Sequence, residues 1–141
     1  MPVTRNRARV TPSVHDPVAR SIEDVLDHHL QALEAGDLGG ILQDYANESV
    51  IIASDGTVLR GPEQTASRLQ ALITEFGKPG ASFSLDQRII EGETAYITWS
   101  AETADNVYEL GTDSFWIHDG KILAHSFAVK ASPKQSGKRY G

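Results

Sequence analysis

The second half of the chain contains four segments with the pattern of β-strands, and this feature constrains the fold most. Residues 82–90, 94–103, 107–117 and 121–131 are rich in β-branched and aromatic residues, and the short segments EGE, ADN and HDG separate them. Turns of that composition connect neighbouring antiparallel strands. The pattern therefore predicts a four-stranded antiparallel meander, which needs a further layer to cover one of its faces.

The N-terminal half supplies helices for that layer. Apolar residues recur at helical spacing over residues 18–35, and Asp37 caps a shorter second helix that extends to Tyr45. Residues 49–60 predict a hairpin around an Asp-Gly turn, and Pro62 opens a third helix. We therefore expect one α+β domain with helices packed over a single curved antiparallel sheet, since 141 residues are too few for two ordinary domains.

Charge is distributed unevenly along the chain. Residues 1–20 hold four arginines and one aspartate, residues 130–141 hold four basic residues and no acid, and residues 21–129 hold five basic and 18 acidic residues. The acidic body repels phosphate backbones, so we expect no nucleic-acid partner, although basic tails that bind a polyanion are a weaker alternative. Residues 1–17 and 132–141 lack periodicity and predict disordered arms around a domain at residues 18–131.

The residue types and motifs that the sequence lacks exclude several kinds of chemistry. Without cysteine there is no disulfide and no thiolate catalysis. No HxH, HExxH or glycine-rich phosphate motif occurs, so we expect neither a metal nor a cofactor. No apolar run approaches the roughly 18 residues of a membrane span, and none follows the N-terminal arginines, so we expect a cytoplasmic protein with no membrane contact.

Two segments carry a resemblance to a known family. HHLQALEAGDLGGILQDYANESV (residues 28–50) and GTDSFWIHDGKILAHSF (residues 111–127) resemble the opening and the closing hairpin of the nuclear transport factor 2 and ketosteroid isomerase superfamily, which includes SnoaL-like polyketide cyclases. The resemblance implies a cystatin-like cone whose sheet wraps around a pocket. It also implies a homodimer formed through the outer face of the sheet.

The resemblance does not extend to the catalytic groups of a typical ketosteroid isomerase. Those enzymes use a carboxylate base on the first strand and a tyrosine on the first helix, and the corresponding positions here are Ala53 and His29. His29 interrupts an otherwise apolar helical stripe, so we expect it to face the interior and to need a polar partner there. It is either a structural histidine or a catalytic group that meets a ligand oxygen.

Asp113 and His125 are two further candidates for catalysis. Strand alternation places His125 with Phe127, and the resemblance implies that this face looks inward, although an outward His125 at a dimer interface is the alternative. Alternation along the strand also places Asp113 on one face and Thr112, Ser114 and Trp116 on the other. The resemblance implies that the second face looks inward. A bulge near Gly111 would reverse which face looks inward, and Asp113 and His125 would then form an acid–base couple.

Aromatic side chains predict a surface for a flat apolar ligand. The candidate ligand-binding residues are Tyr45, Phe83, Trp99, Tyr108, Thr112, Ser114, Trp116 and Phe127. Our hypothesis is a SnoaL-like protein that binds a small, largely apolar, oxygenated molecule and catalyses a cofactor-free isomerisation, cyclisation or dehydration by proton transfer. The alternative is a noncatalytic binding or dimerisation module. A solvent-reachable cavity shared by His29 and His125 would favour the enzyme, and a filled interior would argue against it.

Overall fold

The structure is a computed structural model and describes residues 20–134. Its elements are α1 (Ile22–Ala35), α2 (Leu38–Leu42), β1 (Tyr45–Ala53), β2 (Val58–Arg60), α3 (Gly61–Phe76), β3 (Ser82–Glu91), β4 (Thr94–Glu102), β5 (Asn106–His118) and β6 (Lys121–Pro133). The arm expected at residues 1–17 and most of the tail expected at 132–141 lie outside the described residues. Within the described range, none of the helices combines the length and the apolar character that a bilayer crossing requires.

Local hydrogen bonds explain where the first two helices begin and end. The Ser21 hydroxyl accepts from the Asp24 amide at 3.0 Å while the Asp24 carboxylate accepts from the Ser21 amide, so a capping box fixes the start of α1. Gly36 ends that helix with a φ of 66°, a conformation that costs glycine little. The second helix is shorter than expected, and Tyr45 lies at the start of β1 rather than in it. The Gly39–Gly40 pair explains this, because glycine lowers helix stability.

The six strands form one curved sheet in the order β2-β1-β6-β5-β4-β3. The four predicted meander strands pair antiparallel in chain order, and β1 joins them by pairing parallel with β6. Register shifts interrupt the β3–β4, β4–β5 and β5–β6 pairs. Each shift bends the strands and increases the local twist, which curves the sheet around the helices. The expected α+β architecture with helices on one curved sheet is confirmed.

One face of the sheet packs against α1 and α3, and we call it the inner face. Val25 and Leu26 of α1 and Leu69 of α3 pack there in one apolar core with residues of the strands. The strand residues that are fully buried in this core are Ile51, Ala95, Ile97, Phe115, Ile117 and Ile122. Directly paired residues of neighbouring strands share a face, so these six positions fix the facing of every neighbour in the sheet.

Against the opposite face, which we call the outer face, no helix of residues 20–134 packs. One cross-strand row on it runs through Ile89, Tyr96, Ser114, Ser126 and Ile52, as the pairing registers show. Both isoleucines and the tyrosine are exposed. The row contains no charged residue, which is unusual for a solvent-facing surface of a chain with 18 acidic residues between positions 21 and 129.

Candidate functional site

The helices cover only one end of the inner face, and the other end is open. Trp99 pairs with Leu85 and Gly111, and Gly111 pairs with Val129, so all four positions belong to one inner-face row. Leu85 and Val129 are nevertheless exposed, and the adjacent Phe83 is 53% exposed. We call the inner-face residues Phe83, Leu85, Trp99, Phe127 and Val129 the mouth. It is an apolar and aromatic surface that is partly exposed to solvent.

Asp113 lies where the mouth meets the closed core, and two side chains donate to its carboxylate. The indole Nε1 of Trp99 donates to Oδ2 at 2.6 Å, and the Nε2 of His125 lies 2.6 Å from Oδ1. Because an ionised carboxylate only accepts, the Nε2 of His125 carries the proton. The side chain of Asp113 is 16% exposed and that of His125 is 10% exposed, so the carboxylate is the more accessible group.

Tyr45 extends this arrangement into the interior. Its hydroxyl lies 3.0 Å from Nδ1 of His125, the nitrogen that accepts in the neutral tautomer. Burial raises the pKa of Tyr45 well above its ordinary value, and the charges of Asp113 and Asp44 raise it further, so the phenol stays protonated and donates. Tyr45 therefore donates to His125, and His125 and Trp99 donate to Asp113. We call Tyr45, His125, Trp99 and Asp113 the donor chain.

Gly111 allows Trp99 to reach Asp113. A Cβ at Gly111 would lie 2.1 Å from Cε2 of the Trp99 indole, so the ring packs directly on the glycine backbone. Phe83 and Tyr108 hold the other sides of the ring, with centroid distances of 5.5 and 5.6 Å. The indole therefore has little freedom to move away from Asp113. The sequence predicted Trp99 as a ligand-binding residue, but its contact with Asp113 is nonlocal and has no sequence signal.

Tyr108, another predicted ligand-binding residue, uses its hydroxyl elsewhere. The hydroxyl donates to the Glu75 carboxylate at 2.8 Å, and Thr103 and Asn106 donate to the same group at 2.7 Å. Burial, followed by the hydrogen bond to Glu75, raises the pKa of Tyr108 to about 12. The ring of Tyr108 thus supports Trp99 while its hydroxyl ties β5 to the end of α3.

His29 lies at the closed end of the inner face, away from the mouth. It is 1% exposed, and its ring makes edge contacts with the rings of Tyr45, Phe115 and His125. Its Nδ1 lies 3.4 Å from Oδ2 of Asp44, a contact too poorly aligned for a good hydrogen bond, and within residues 20–134 it has no other partner. The structure therefore confirms that His29 faces inward, and it is buried against the rings of Tyr45, Phe115 and His125.

Asp44 is a fully buried carboxylate that sequence reasoning did not single out. Arg20 donates to its Oδ1 at 2.9 Å, and Nδ1 of His28 lies 2.8 Å from the same oxygen. Burial raises the pKa of Asp44, but the imidazole of His29, the Arg20 guanidinium and His28 outweigh this effect and hold the pKa below its ordinary value. Burial lowers the pKa of His29, with Asp44 opposing, so this imidazole is held in the neutral form.

The expectation that Thr112, Ser114 and Trp116 face inward is wrong. Phe115 and Ile117 pack in the core, so alternation along β5 turns the three predicted residues to the outer face, where Trp116 is 45% exposed. Asp113 shares the inward parity of Phe115. On the next strand His125 is buried and Phe127 is half-buried, and both lie on the inner face, as the sequence indicated.

The two best-defined depressions on the described residues lie away from the donor chain. One, of about 240 Å³, includes Thr112, Ser114 and Ser126 of the outer face. The other, of about 390 Å³, follows the ends of β3, β4 and β5 around Ser84 and Val107. Neither includes His29 or His125, so the cavity that these histidines were expected to share is not one of them. Among residues 20–134, no group of three or more histidine, aspartate or glutamate side chains is arranged to hold a metal ion.

Comparison with known proteins agrees with this architecture. The SnoaL-like domain family matches residues 26–125. The chain therefore belongs to the SnoaL-like family. No curated protein sequence matches it.

Several solved structures share the fold at low sequence identity. A steroid delta-isomerase from Pseudomonas aeruginosa has 17% identity and a TM-score of 0.66 over 81% of this chain and 82% of that one. The epoxide hydrolase/cyclase-like enzyme SalBIII, which has a role in pyran ring formation in salinomycin, has 12% identity and a TM-score of 0.68 over 80% and 95%. A nuclear transport factor 2-like protein from Cytophaga hutchinsonii has 9% identity and a TM-score of 0.64 over 81% and 94%. At these identities the similarity shows the fold alone.

Proposed function

We propose that this SnoaL-like domain binds a small, largely apolar, oxygenated molecule in the mouth and transfers a proton with the carboxylate of Asp113. The donor chain is the observation that carries the proposal. Two donors, Trp99 at 2.6 Å and His125 at 2.6 Å, orient a carboxylate that lies at the base of an open apolar surface. A carboxylate in that setting suits general base catalysis, in which orientation comes first and the pKa second.

The proposed step is a proton transfer next to a carbonyl group. Asp113 removes a proton from the carbon beside the carbonyl, the electrons of that C–H bond form the enolate, and Asp113 returns the proton to the same or another carbon. That sequence accounts for exchange and isomerisation. In an aldol-type cyclisation the enolate attacks a second carbonyl and Asp113 gives its proton to the alkoxide that forms. In a dehydration the enolate expels the β-hydroxyl group, which takes the proton from Asp113 and leaves as water. His125 acts as a positioning residue, because both of its ring nitrogens are occupied by Asp113 and Tyr45. His29 is not part of the proposed step.

The base lies on a different strand from that of ketosteroid isomerases. Ala53, at the position that the resemblance assigned to the base, pairs with Phe127 on β6 and offers no proton acceptor in its side chain. Asp113 lies on β5 beside Phe127 and faces the same interior. The fold thus offers a carboxylate to its inner face from another element.

Hydrogen–deuterium exchange of flat apolar ketones tests the proposal. We expect the protein to accelerate exchange beside the carbonyl of at least one ketone in a panel that includes 2-tetralone, as measured by NMR in deuterated buffer. Asp113→Asn should lower that rate about 100-fold, in the range of one general base. The control is Asp119→Asn, an exposed turn residue with a φ of 51° that asparagine tolerates. Exchange at the buffer rate for every ketone, or an unaffected Asp113→Asn, would contradict the proposal.

A noncatalytic dimerisation role is the second candidate, and the outer face supports it. The uncharged row through Ile89, Tyr96 and Ile52, with the exposed Trp116 beside it, suits a self-complementary contact of about 800 Å² per partner. We propose a homodimer through this face. Sedimentation should give a dimer that Tyr96→Lys converts to a monomer, whereas Val107→Lys at the end of the same face leaves it intact. A monomeric parent protein at tens of micromolar would exclude it.

A further inference from the structure

A single arginine stands at the rim of the mouth. The guanidinium carbon of Arg68, on α3, lies 5.3 Å from the centroid of the Phe127 ring, which is part of the mouth. The Phe127 ring in turn lies 5.9 Å from that of His125. Because the two distances share the Phe127 ring, the cation is within about 11 Å of the His125 ring.

Arg68 differs from the other basic residues of the acidic body. Between residues 21 and 129 the chain has five basic side chains. Lys78 pairs with Asp105, Arg88 pairs with Asp27, and Lys121 donates to the Gln43 carbonyl. Arg60 ends the edge strand β2, away from the mouth. Arg68 is exposed and makes no ion pair among residues 20–134, although the body holds 18 acidic residues.

The charge of Arg68 affects the pKa values of two groups, Tyr108 and Asp55. Burial and Glu75 raise the pKa of Tyr108, and the Arg68 charge opposes them. Hydrogen bonds from Thr57 lower the pKa of Asp55, and the Arg68 charge lowers it further. Tyr108 packs against Trp99 of the mouth. The positive field of Arg68 therefore reaches across the mouth as well as toward the β1–β2 turn.

We propose that Arg68 binds an anionic group of the ligand, so that the substrate class is an apolar, ring-containing acid whose body lies on the mouth. A chain with this net negative charge repels anions, and a local cation at the binding surface compensates for that repulsion. Arginine suits the role because its planar guanidinium binds carboxylates and sulfonates through two parallel hydrogen bonds while it stays stacked on an aromatic ring. The inference rests on the proposed binding surface, but it does not depend on catalysis.

Two fluorescent probes that differ by one charged group test the inference. 8-Anilinonaphthalene-1-sulfonate carries a sulfonate, and N-phenyl-1-naphthylamine has the same aromatic body without it. We expect Arg68→Gln to weaken binding of the sulfonate probe about tenfold, the size of one charge-assisted contact. The Kd of the neutral probe should change less than twofold. The control, Arg60→Gln, should leave both Kd values unchanged. Raising the salt concentration from 50 to 500 mM should weaken the sulfonate probe only in proteins that keep Arg68.

A second matched pair of variants locates the probes. Leu85→Lys places a charge in the mouth, and Gln87→Lys places it on the outer face of the same strand, outside the row proposed for the dimer. Binding of the neutral probe should be lost in the first variant and retained in the second. If the neutral probe does not bind the parent protein, or still binds the Leu85→Lys variant, the mouth is not the binding surface. The proposed function then fails together with this inference.

If the neutral probe binds in the mouth, two results would overturn the inference alone. One is a sulfonate Kd that does not change in Arg68→Gln. The other is an equal loss of both probes, which would mean that Arg68 acts by covering Phe127 and not by its charge.

Discussion

The interior between the helices and the sheet holds two histidine–carboxylate pairs, His29–Asp44 and His125–Asp113, and they differ in contact and in access to solvent. At the closed end, His29 and Asp44 approach only to 3.4 Å, and the carboxylate is instead bound by Arg20 and His28. At the mouth, His125 and Asp113 are 2.6 Å apart, and the carboxylate is partly exposed. The same residue types thus occur once in a structural setting and once in a setting that a ligand reaches.

The difference comes from how far the helices cover the sheet. Along β5 the inner-face residues run from Gly111 through Asp113 to Phe115 and Ile117, and exposure falls in that order from the aspartate to the isoleucine. α1 contacts β4 and β5, and α3 contacts β1 and β2. α3 also reaches Tyr108 of β5 through Glu75, and Phe127 of β6 through Arg68. The closed end is therefore filled like any protein core. The open end leaves Phe83 and Val129 without a covering layer, which is why we place the ligand there.

Removing each carboxylate in turn should separate stability from function, and this is the largest expected effect. Asp44→Ala should lower the free energy of unfolding by about 3 kcal/mol, because it removes the buried acceptor of Arg20 and His28. Asp113→Ala should cost only about 1 kcal/mol, because that carboxylate is partly solvated. Urea denaturation measures both values. Equal losses would mean that the two pairs play the same role.

Gly111→Ala should give the next largest effect. The added Cβ would lie 2.1 Å from the Trp99 indole, so the ring must leave its place beside Asp113. We expect a loss of about 2 kcal/mol in unfolding free energy, typical of overpacking, together with loss of the ketone exchange activity. Gly39→Ala is the matched control, since a Cβ there meets no atom closer than 3.8 Å. An unchanged exchange rate in Gly111→Ala would show that the Trp99 contact is dispensable.

Acid should destabilise the closed end through His29. Its pKa is lowered in the folded chain, mainly by burial, so the unfolded chain binds the proton first as the pH falls. The free energy of unfolding should therefore fall below pH 6.5, the ordinary value, by at most about 1.4 kcal/mol per pH unit. The groups that face His29 are Asp44, His125 and Asp113. Urea denaturation between pH 7.5 and 5.5 should show the fall in the parent protein and a flatter profile in His29→Leu.

His118 provides the control for that pH profile. It is an exposed residue whose pKa is raised by Glu93 and Asp119, so it has the opposite sign and contributes stability only at low pH. His118→Gln should therefore leave the acid-induced loss in place. If the profile flattens in His118→Gln but not in His29→Leu, the pH dependence comes from His118 and not from His29, and the prediction is wrong.

Local signals predicted most of the secondary structure. The four meander strands appear within one or two residues of their predicted bounds, whereas β1 begins at Tyr45, four residues before the predicted start at residue 49. The apolar stripe of α1 faces the core with His29 in it. Asp113 and Trp99 were singled out as separate candidates, but the hydrogen bond between them is not visible in the sequence. Asp44 went unnoticed for a related reason, because its partners Arg20 and His28 lie 24 and 16 residues away. Such contacts depend on how elements pack and not on local periodicity.

The sequence by itself determined the order of the elements, the α+β class and which residues of each strand share a face. Alternation along the strand placed Asp113 on one face and Thr112 and Ser114 on the other, whatever the fold. Only the tertiary structure decided that Asp113 turns inward, because Phe115 and Ile117 on the same side gain more from burial in the core than Trp116 on the other. It also decided that Phe83, Leu85 and Val129 stay exposed on the inner face beside this carboxylate, while His29 is buried at the closed end.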